Sequence, residues 1–133
     1  MSEENLETIR AVYERFSEGD LRSSADLFAR HVVFLGLPDS PEAEPVLGAT
    51  AVAAWTRRTL LETWADLTME AEELIAAGDS VLVSVHQRGI ARASGVPTEA
   101  DYFTLWSFRG PKVIRVENFQ ERAKALEAAG LSE

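Results

Sequence analysis

The chain has 133 residues, of which 22 are acidic and 13 basic, giving a formal net charge of −9, and it contains no cysteine. This length fits a single domain over residues 1–133 with a real core, while the missing cysteine excludes disulfides and thiolate chemistry. The negative charge disfavours nucleic acid and anionic membranes as partners. We expect a cytoplasmic protein, because the N-terminus is too acidic for a signal peptide and no apolar run could span a membrane.

The first half of the chain predicts helices around one short strand. Apolar residues recur at helical spacing between residues 6 and 16, as expected of an amphipathic helix. Gly19 ends this helix and Asp20 can cap a second one over Leu21 to Arg30. His31 to Leu35 is a short apolar run that reads as a strand. The proline-rich loop that follows, Gly36 to Gly48, is either a lid over a binding site or a plain surface connection.

The next segment predicts a third helix and a long strand. Thr50 can cap a helix from Ala51 to about Ala65, which would turn two tryptophans toward the interior. Leu67 to Ala76 alternates between polar and apolar residues until Leu74, where the period breaks. We therefore predict a strand that has either a bulge or a drift toward helix where the period breaks.

The last third of the chain predicts a meander of strands. Valines and aromatics interleave with polar residues over Ser80 to Ala91, Tyr102 to Phe108 and Val113 to Phe119. Glycines at 78 and 110 supply the tight turns. The predicted architecture is an α+β domain in which a bent antiparallel sheet wraps helices.

A short helix with a specified end closes the chain. Gln120 to Ala129 reads as helical, and Gly130 occupies the position where a left-handed residue commonly ends a helix. Leu126 and Leu131 then fall at the two positions whose side chains meet in such a cap.

The order of these elements resembles the nuclear transport factor 2-like superfamily, and its SnoaL-like branch in particular. The resemblance is carried by the Gly19-Asp20 hairpin, the helix start from Gly48 to Trp55 and the segment from Ser94 to Lys112, and it extends from about residue 5 to 131. It implies a cone-shaped α+β fold, the cystatin-like barrel, whose curved antiparallel sheet wraps the N-terminal helices around a pocket. It implies no particular reaction, because members include cyclases, isomerases, hydrolases and adaptors.

The matching positions have lost most of the catalytic residues that this resemblance would imply. The acid/base aspartate of SnoaL-like cyclases matches Thr104, and a threonine cannot do that work near neutral pH. The tyrosine and two acids of ketosteroid isomerases match Val12, Gly36 and Thr104, so none is retained. Of the limonene epoxide hydrolase set, only polar character survives, at Gln87 and Asn118.

Strand parity then decides what lines the pocket. If Tyr102 faces inward, Thr104 and Trp106 do so as well, because side chains alternate along a strand. The predicted ligand-binding residues are Phe16, Phe34, Trp55, Gln87, Tyr102, Thr104, Trp106 and Asn118. Few neutral polar groups among aromatics suit a small, mostly apolar molecule bound without a cofactor. The alternative is an interaction module with a filled cavity, where Gln87, Thr104 and Asn118 satisfy one another.

A second hypothesis is an isomerase, cyclase or hydrolase with an unfamiliar acid. Its catalytic candidates are Asp101 or His31 as the proton carrier and Tyr102 as a hydrogen-bond donor. His31 is expected at a helix C-terminus and His86 on the outer sheet face. A one-residue register slip would turn Asp101 inward and raise its pKa. We expect no metal site, because the two histidines lack a ligating spacing and no acidic cluster obviously joins them.

The strand from Tyr102 to Phe108 is apolar on both faces. Its outward side chains, Phe103 and Leu105, need a cover, and a second subunit could provide it. The sequence therefore predicts a homodimer that packs through the outer face of the sheet, which is also the common arrangement in the resembled superfamily.

Overall fold

The computed structural model describes residues 2–37 and 44–132. These residues form three α-helices, six strands, a 3₁₀ turn and a π-helical segment. The helices are α1 (Ser2–Ser17), α2 (Ala49–Trp55) and α3 (Arg122–Ala128), with the 3₁₀ turn at Ala25–Leu27 and the π-helical segment at Thr56–Leu61. The strands are β1 (Phe28–Leu35), β2 (Val46–Leu47), β3 (Trp64–Ala77), β4 (Ser80–Ala91), β5 (Pro97–Arg109) and β6 (Lys112–Phe119). None of the helices in the described ranges is long and apolar enough to cross a membrane.

The six strands form one sheet in the order β2-β1-β6-β5-β4-β3. Consecutive strands from β3 to β6 pair antiparallel, as the meander predicted, while β1 and β6 run parallel. The predicted α+β architecture is therefore confirmed, with a mixed sheet in place of a wholly antiparallel one. The turns of the two hairpins place Gly78 and Gly110 at φ of 60° and 58°, a backbone conformation that glycine adopts without strain.

A bulge in β3 keeps Leu74 on the inner face together with Met69 and Ala71. Ala71 pairs with Val85 but Glu73 pairs with Ser84, so Glu72 is the extra residue in the strand. Without it, the residues after the bulge would present the wrong face to the core. The predicted strand is confirmed, and of the two alternatives for its irregularity the bulge is the one observed.

The predicted second helix from Leu21 to Arg30 is wrong. Only one 3₁₀ turn forms there, and the chain enters β1 at Phe28, whose ring stacks on Trp106 with the centroids 6.2 Å apart. Parallel pairing of β1 with β6 and this aromatic contact outweigh a weak helical pattern. As a consequence, His31 lies in β1 with an exposed side chain and not at a helix end.

The predicted third helix is also shorter than expected. It begins at Ala49 after Gly48, so Thr50 is not its cap, and it continues through the π-helical segment only to Leu61. Trp64 opens β3, where it pairs with Ala91. Helical periodicity alone could not locate this transition, because tryptophan suits a strand as well as a helix.

Two apolar clusters cover opposite faces of the sheet. The larger lies between α1 and the inner face, and it includes Ile9, Val12, Val83, Val85 and Val116. The smaller lies on the outer face, where α3 packs Ala125 and Leu126 against Leu82 and Leu105. Leu105 is thus covered within the same chain. The cover that we expected from a second subunit is supplied in part by α3, and the homodimer stays a prediction.

The end of α3 has the predicted geometry. Gly130 has a φ of 75°, its backbone N–H donates to the carbonyl of Glu127 at 3.0 Å, and the N–H of Leu131 donates to the carbonyl of Leu126 at 2.8 Å. This pair of hydrogen bonds is the Schellman motif. It fixes the turn that brings Leu131 to the outer apolar cluster.

Candidate functional site

A cavity of about 760 Å³ lies between the helices and the inner face of the sheet. Its walls come from α1, the α1–β1 connection, α2 with the π-helical segment, and strands β1 and β3 to β6. The structure brings all eight predicted ligand-binding residues to these walls, namely Phe16, Phe34, Trp55, Gln87, Tyr102, Thr104, Trp106 and Asn118. The volume is in the range of cavities that hold small organic ligands.

Strand register separates the three catalytic candidates. Val85 pairs with Tyr102 and His86 with Asp101, so Tyr102 faces the cavity and Asp101 the outer side. Tyr102 is 9% exposed, whereas the side chain of Asp101 is 72% exposed. Neither Asp101 nor His31 lines the cavity.

The first polar pair in the cavity wall joins neighbouring strands. The hydroxyl of Tyr102 donates to Oε1 of Gln87 at 2.7 Å. Burial raises the pKa of Tyr102, so the phenol stays protonated and keeps this donor role. The amide nitrogen of Gln87 has no hydrogen-bond partner among the described residues.

The second polar group is a row of hydrogen bonds across the cavity floor. Nε1 of Trp106 donates to the hydroxyl of Tyr13 at 3.1 Å, and the hydroxyl of Thr104 donates to Oδ1 of Asn118 at 2.7 Å. The amide nitrogen of Asn118 then donates to the carbonyl of Leu35 at 2.9 Å. Burial raises the pKa of Tyr13, against the opposing effect of hydrogen bonds to Trp106 and Thr104. These neutral groups satisfy and orient one another.

Two buried polar atoms in the lining residues have no partner within the described part of the chain. They are Nε1 of Trp55, whose ring lies 4.5 Å from that of Phe34, and the hydroxyl of Thr59. Unpaired buried polar atoms are uncommon in proteins, and π-helical segments such as the one holding Thr59 occur frequently at functional sites. The α2 side of the cavity therefore has hydrogen-bonding capacity that the protein does not use.

Charge in the cavity lining is confined to two arginines. Arg22 and Arg57 are both exposed residues of the lining, and no carboxylate or imidazole joins them in the described ranges. Sequence reasoning missed these arginines, as it missed Tyr13 and Thr59. Tyr13 could have been found, because it lies one helical turn before Phe16 on α1. The arginines gave no signal, since exposed arginines look alike in a sequence.

The outer face carries a separate charged cluster around His86. Nδ1 of His86 lies 2.7 Å from Oδ1 of Asp101, and Nε2 lies 2.9 Å from Oε1 of Glu99. These hydrogen bonds, with Asp101 contributing most, raise the pKa of His86. Ligand atoms of Glu72, His86 and Asp101 lie within 4.8 Å of one another, so the group could hold a metal ion. The sequence made no acidic cluster obvious beside either histidine, and strand pairing assembles one at His86 from residues that are distant in sequence. The absence of a metal site stays a prediction.

The loop from Gly36 to Gly48, predicted as either a lid or a surface connection, is described only at its two ends. Residues 38–43, the centre of the loop from Gly36 to Gly48, lie outside the described residues. Of its ends, Gly36 and Leu37 line the cavity, and Val46–Leu47 pairs with β1.

An α+β cone around an internal cavity is the fold of the NTF2-like class of proteins, and a comparison with known families gives the family of this chain. The model of the SnoaL-like domain matches residues 9–116. The chain belongs to the SnoaL-like family. A comparison with curated proteins finds no match.

Solved structures share this fold over nearly the whole chain. An NTF2-like protein of unknown function from Burkholderia pseudomallei is 24% identical, with a TM-score of 0.74, covering 92% of this chain and 95% of that one. A candidate SnoaL-like polyketide cyclase from Jannaschia sp. is 17% identical, with a TM-score of 0.75 and coverage of 99% and 95%. TerC, co-crystallised with polyporic acid, is 19% identical, with a TM-score of 0.72 and coverage of 95% and 98%. At these identities the likeness shows the fold alone.

Proposed function

We propose that this protein binds a small, mostly apolar molecule in its aromatic-lined cavity. The observation that carries the proposal is a cavity of about 760 Å³ whose inner polar groups are neutral and largely paired with one another. Such groups orient a ligand by a few contacts while aromatic walls supply most of the affinity. TerC, a protein of this fold, has been co-crystallised with a small molecule, polyporic acid.

The two alternatives have less support. An enzyme would need a proton carrier at the ligand, and its candidates Asp101 and His31 are outside the lining. Tyr102 reaches the cavity, but its raised pKa suits it to donate a hydrogen bond and not to accept a proton at neutral pH. An interaction module with a filled cavity is disfavoured by the size of the cavity.

Binding of an uncharged fluorescent probe tests the proposal. N-phenyl-1-naphthylamine becomes bright in apolar surroundings, and we expect it to bind the wild-type protein at one site per chain. Ala54→Phe adds a ring at the cavity wall, whereas Ala51→Phe adds the same ring at an exposed position of α2 outside the lining. We expect the first variant to bind at least about tenfold more weakly and the second to bind as the wild type does. A wild-type protein that leaves the probe dark, or equal binding by both variants, would count against a ligand-binding cavity.

A further inference from the structure

The charge in the cavity lining opposes the charge of the whole chain. Acidic residues outnumber basic ones by 22 to 13 in the sequence. The described lining nevertheless contains two arginines and no acid. Arg22 comes from the connection between α1 and β1, and Arg57 comes from the π-helical segment, so two separate elements bring positive charge to one cavity.

Neither guanidinium group is committed to a strong ion pair. Arg22 makes no ion pair among the described residues. The carboxylate of the nearby Asp20 accepts a hydrogen bond from the backbone N–H of Arg22, and the cation that acts on this carboxylate is Arg15. Nε of Arg57 lies 3.7 Å from a carboxylate oxygen of Glu62, and both side chains are more than 60% exposed. A pair this long and exposed is weak. Both arginines can therefore bind an anion that enters the cavity.

The unpaired polar groups of the cavity wall can also bind an anionic head, because they can donate hydrogen bonds to it. The amide nitrogen of Gln87 and the indole nitrogen of Trp55 can only donate hydrogen bonds, and neither has a partner in the described chain. The acceptor of Gln87 is already used by Tyr102. The hydroxyl of Thr59, the other unpaired atom, can donate as well as accept. All three unpaired groups can therefore donate to an acceptor on the ligand.

We infer that the ligand is an amphipathic organic anion, with an apolar body in the cavity and a carboxylate or similar head held by the arginines of the lining, Arg22 and Arg57. This inference rests on the proposed function, because it names the class of molecule that the cavity binds. The aromatic wall takes the body of such a ligand by apolar burial. The arginines attract the anionic head, whereas most of the acidic protein surface would repel it.

A matched pair of dyes tests the inference. N-phenyl-1-naphthylamine and 1-anilinonaphthalene-8-sulfonate share one aromatic body, and only the second carries an anionic group. We expect the double variant Arg22→Gln/Arg57→Gln to bind the sulfonate about five- to tenfold more weakly and the neutral dye within twofold of wild type. The control is Arg30→Gln/Arg109→Gln, which removes the same charge from exposed positions outside the lining and is expected to change neither affinity. Added salt should weaken wild-type binding of the sulfonate alone.

The outcomes separate this inference from the proposed function. If the neutral dye binds but the sulfonate does not, or if the sulfonate is insensitive to loss of Arg22 and Arg57, the anion preference is refuted and a neutral-ligand cavity stands. An equal loss of sulfonate binding in the control variant refutes it as well, because the effect is then one of net charge. If neither dye binds the wild type, both the proposed function and the inference fail.

Discussion

The two faces of strands β4 and β5 have opposite chemistry. The inner face carries Val85, Tyr102 and Thr104, with no formal charge, whereas the outer face carries His86 and Asp101 in direct contact. Because side chains alternate, residues adjacent in sequence serve these two environments. A slip of one residue would exchange them, so the register is the feature that decides which chemistry a ligand meets.

The difference between the faces shows where polar interactions contribute to the stability of the fold. Inside, a hydrogen bond such as the one from Thr104 to Asn118 is needed, since an unpaired buried group would destabilise the fold. Outside, the exposed ion pair of Glu70 and Arg88 at 2.6 Å contributes little, because water solvates both partners. We therefore expect an added charge on the inner face to destabilise the fold much more than the loss of an ion pair on the outer face.

The strongest way to break this contrast is to place a carboxylate on the inner face. Thr104 is 4% exposed and donates to Asn118, an interaction that only a protonated aspartate could reproduce. We expect burial to raise the pKa of the aspartate in Thr104→Asp, which lowers the free energy of unfolding at pH 7 by about 4 kcal/mol. A carboxyl whose folded pKa exceeds its unfolded value, about 3.9, destabilises progressively as pH rises from 4 to neutrality.

Urea unfolding from pH 4 to 7 measures this effect. The matched control is Thr98→Asp, because Thr98 lies on the same strand and is exposed. We expect the control to follow the wild type at each pH. A Thr104→Asp variant as stable as the control at pH 7 would mean that the inner face is wetter than the structure indicates.

The second prediction concerns the apolar part of the outer face. Leu126 is 4% exposed and belongs to the cluster that covers Leu82 and Leu105. We expect Leu126→Ala to lower the free energy of unfolding by about 3 kcal/mol, by loss of buried area and creation of a cavity. Chemical unfolding gives the value, with Glu127→Ala, an exposed change on the same helix, as the control. A cost below about 1 kcal/mol would show that α3 is not the main cover, and light scattering would then report whether a second subunit is.

Local patterns predicted the parts of the fold that local forces specify. The bounds of β4, the bulge in β3 and the end of α3 at Gly130 all agree with the alternation of side chains or with the conformational needs of one residue. These features need few contacts between distant residues.

The remaining errors come from contacts between distant parts of the chain. The helix predicted from Leu21 to Arg30 does not form, because its last residues, from Phe28, belong to the strand that pairs with β6. Leu105 is covered by α3, which lies about twenty residues later in the sequence. In the cavity, the aromatic lining followed from strand parity, but the two arginines did not, since nothing local marks an exposed arginine as part of the lining. The contact of His86 with Asp101 could have been predicted by pairing β4 with β5 as a hairpin, because the two residues lie opposite each other. The sequence analysis did not make that prediction.

The smallest expected effect tests the charged part of the outer face. The pKa of His86 is raised first by its hydrogen bond to Asp101 and then by that to Glu99, with its side chain 24% exposed. We expect Asp101→Asn to lower the pKa of His86 while leaving it above the ordinary value, because Glu99 remains. NMR titration of the His86 ring protons measures this, and Asp79→Asn, an exposed change in the β3–β4 turn, is the control for net charge.

The sign of the pH dependence follows from the direction of that shift. A histidine with a raised folded pKa stabilises the protein fully below its unfolded pKa, about 6.5, and loses this contribution as pH rises through the folded pKa. Asp101→Asn should therefore reduce stability at mildly acidic pH and have less effect above the folded pKa. It should also leave binding of the neutral dye unchanged, since Asp101 is outside the lining. Loss of dye binding in this variant would place Asp101 at the cavity and reverse the assignment of the two sheet faces.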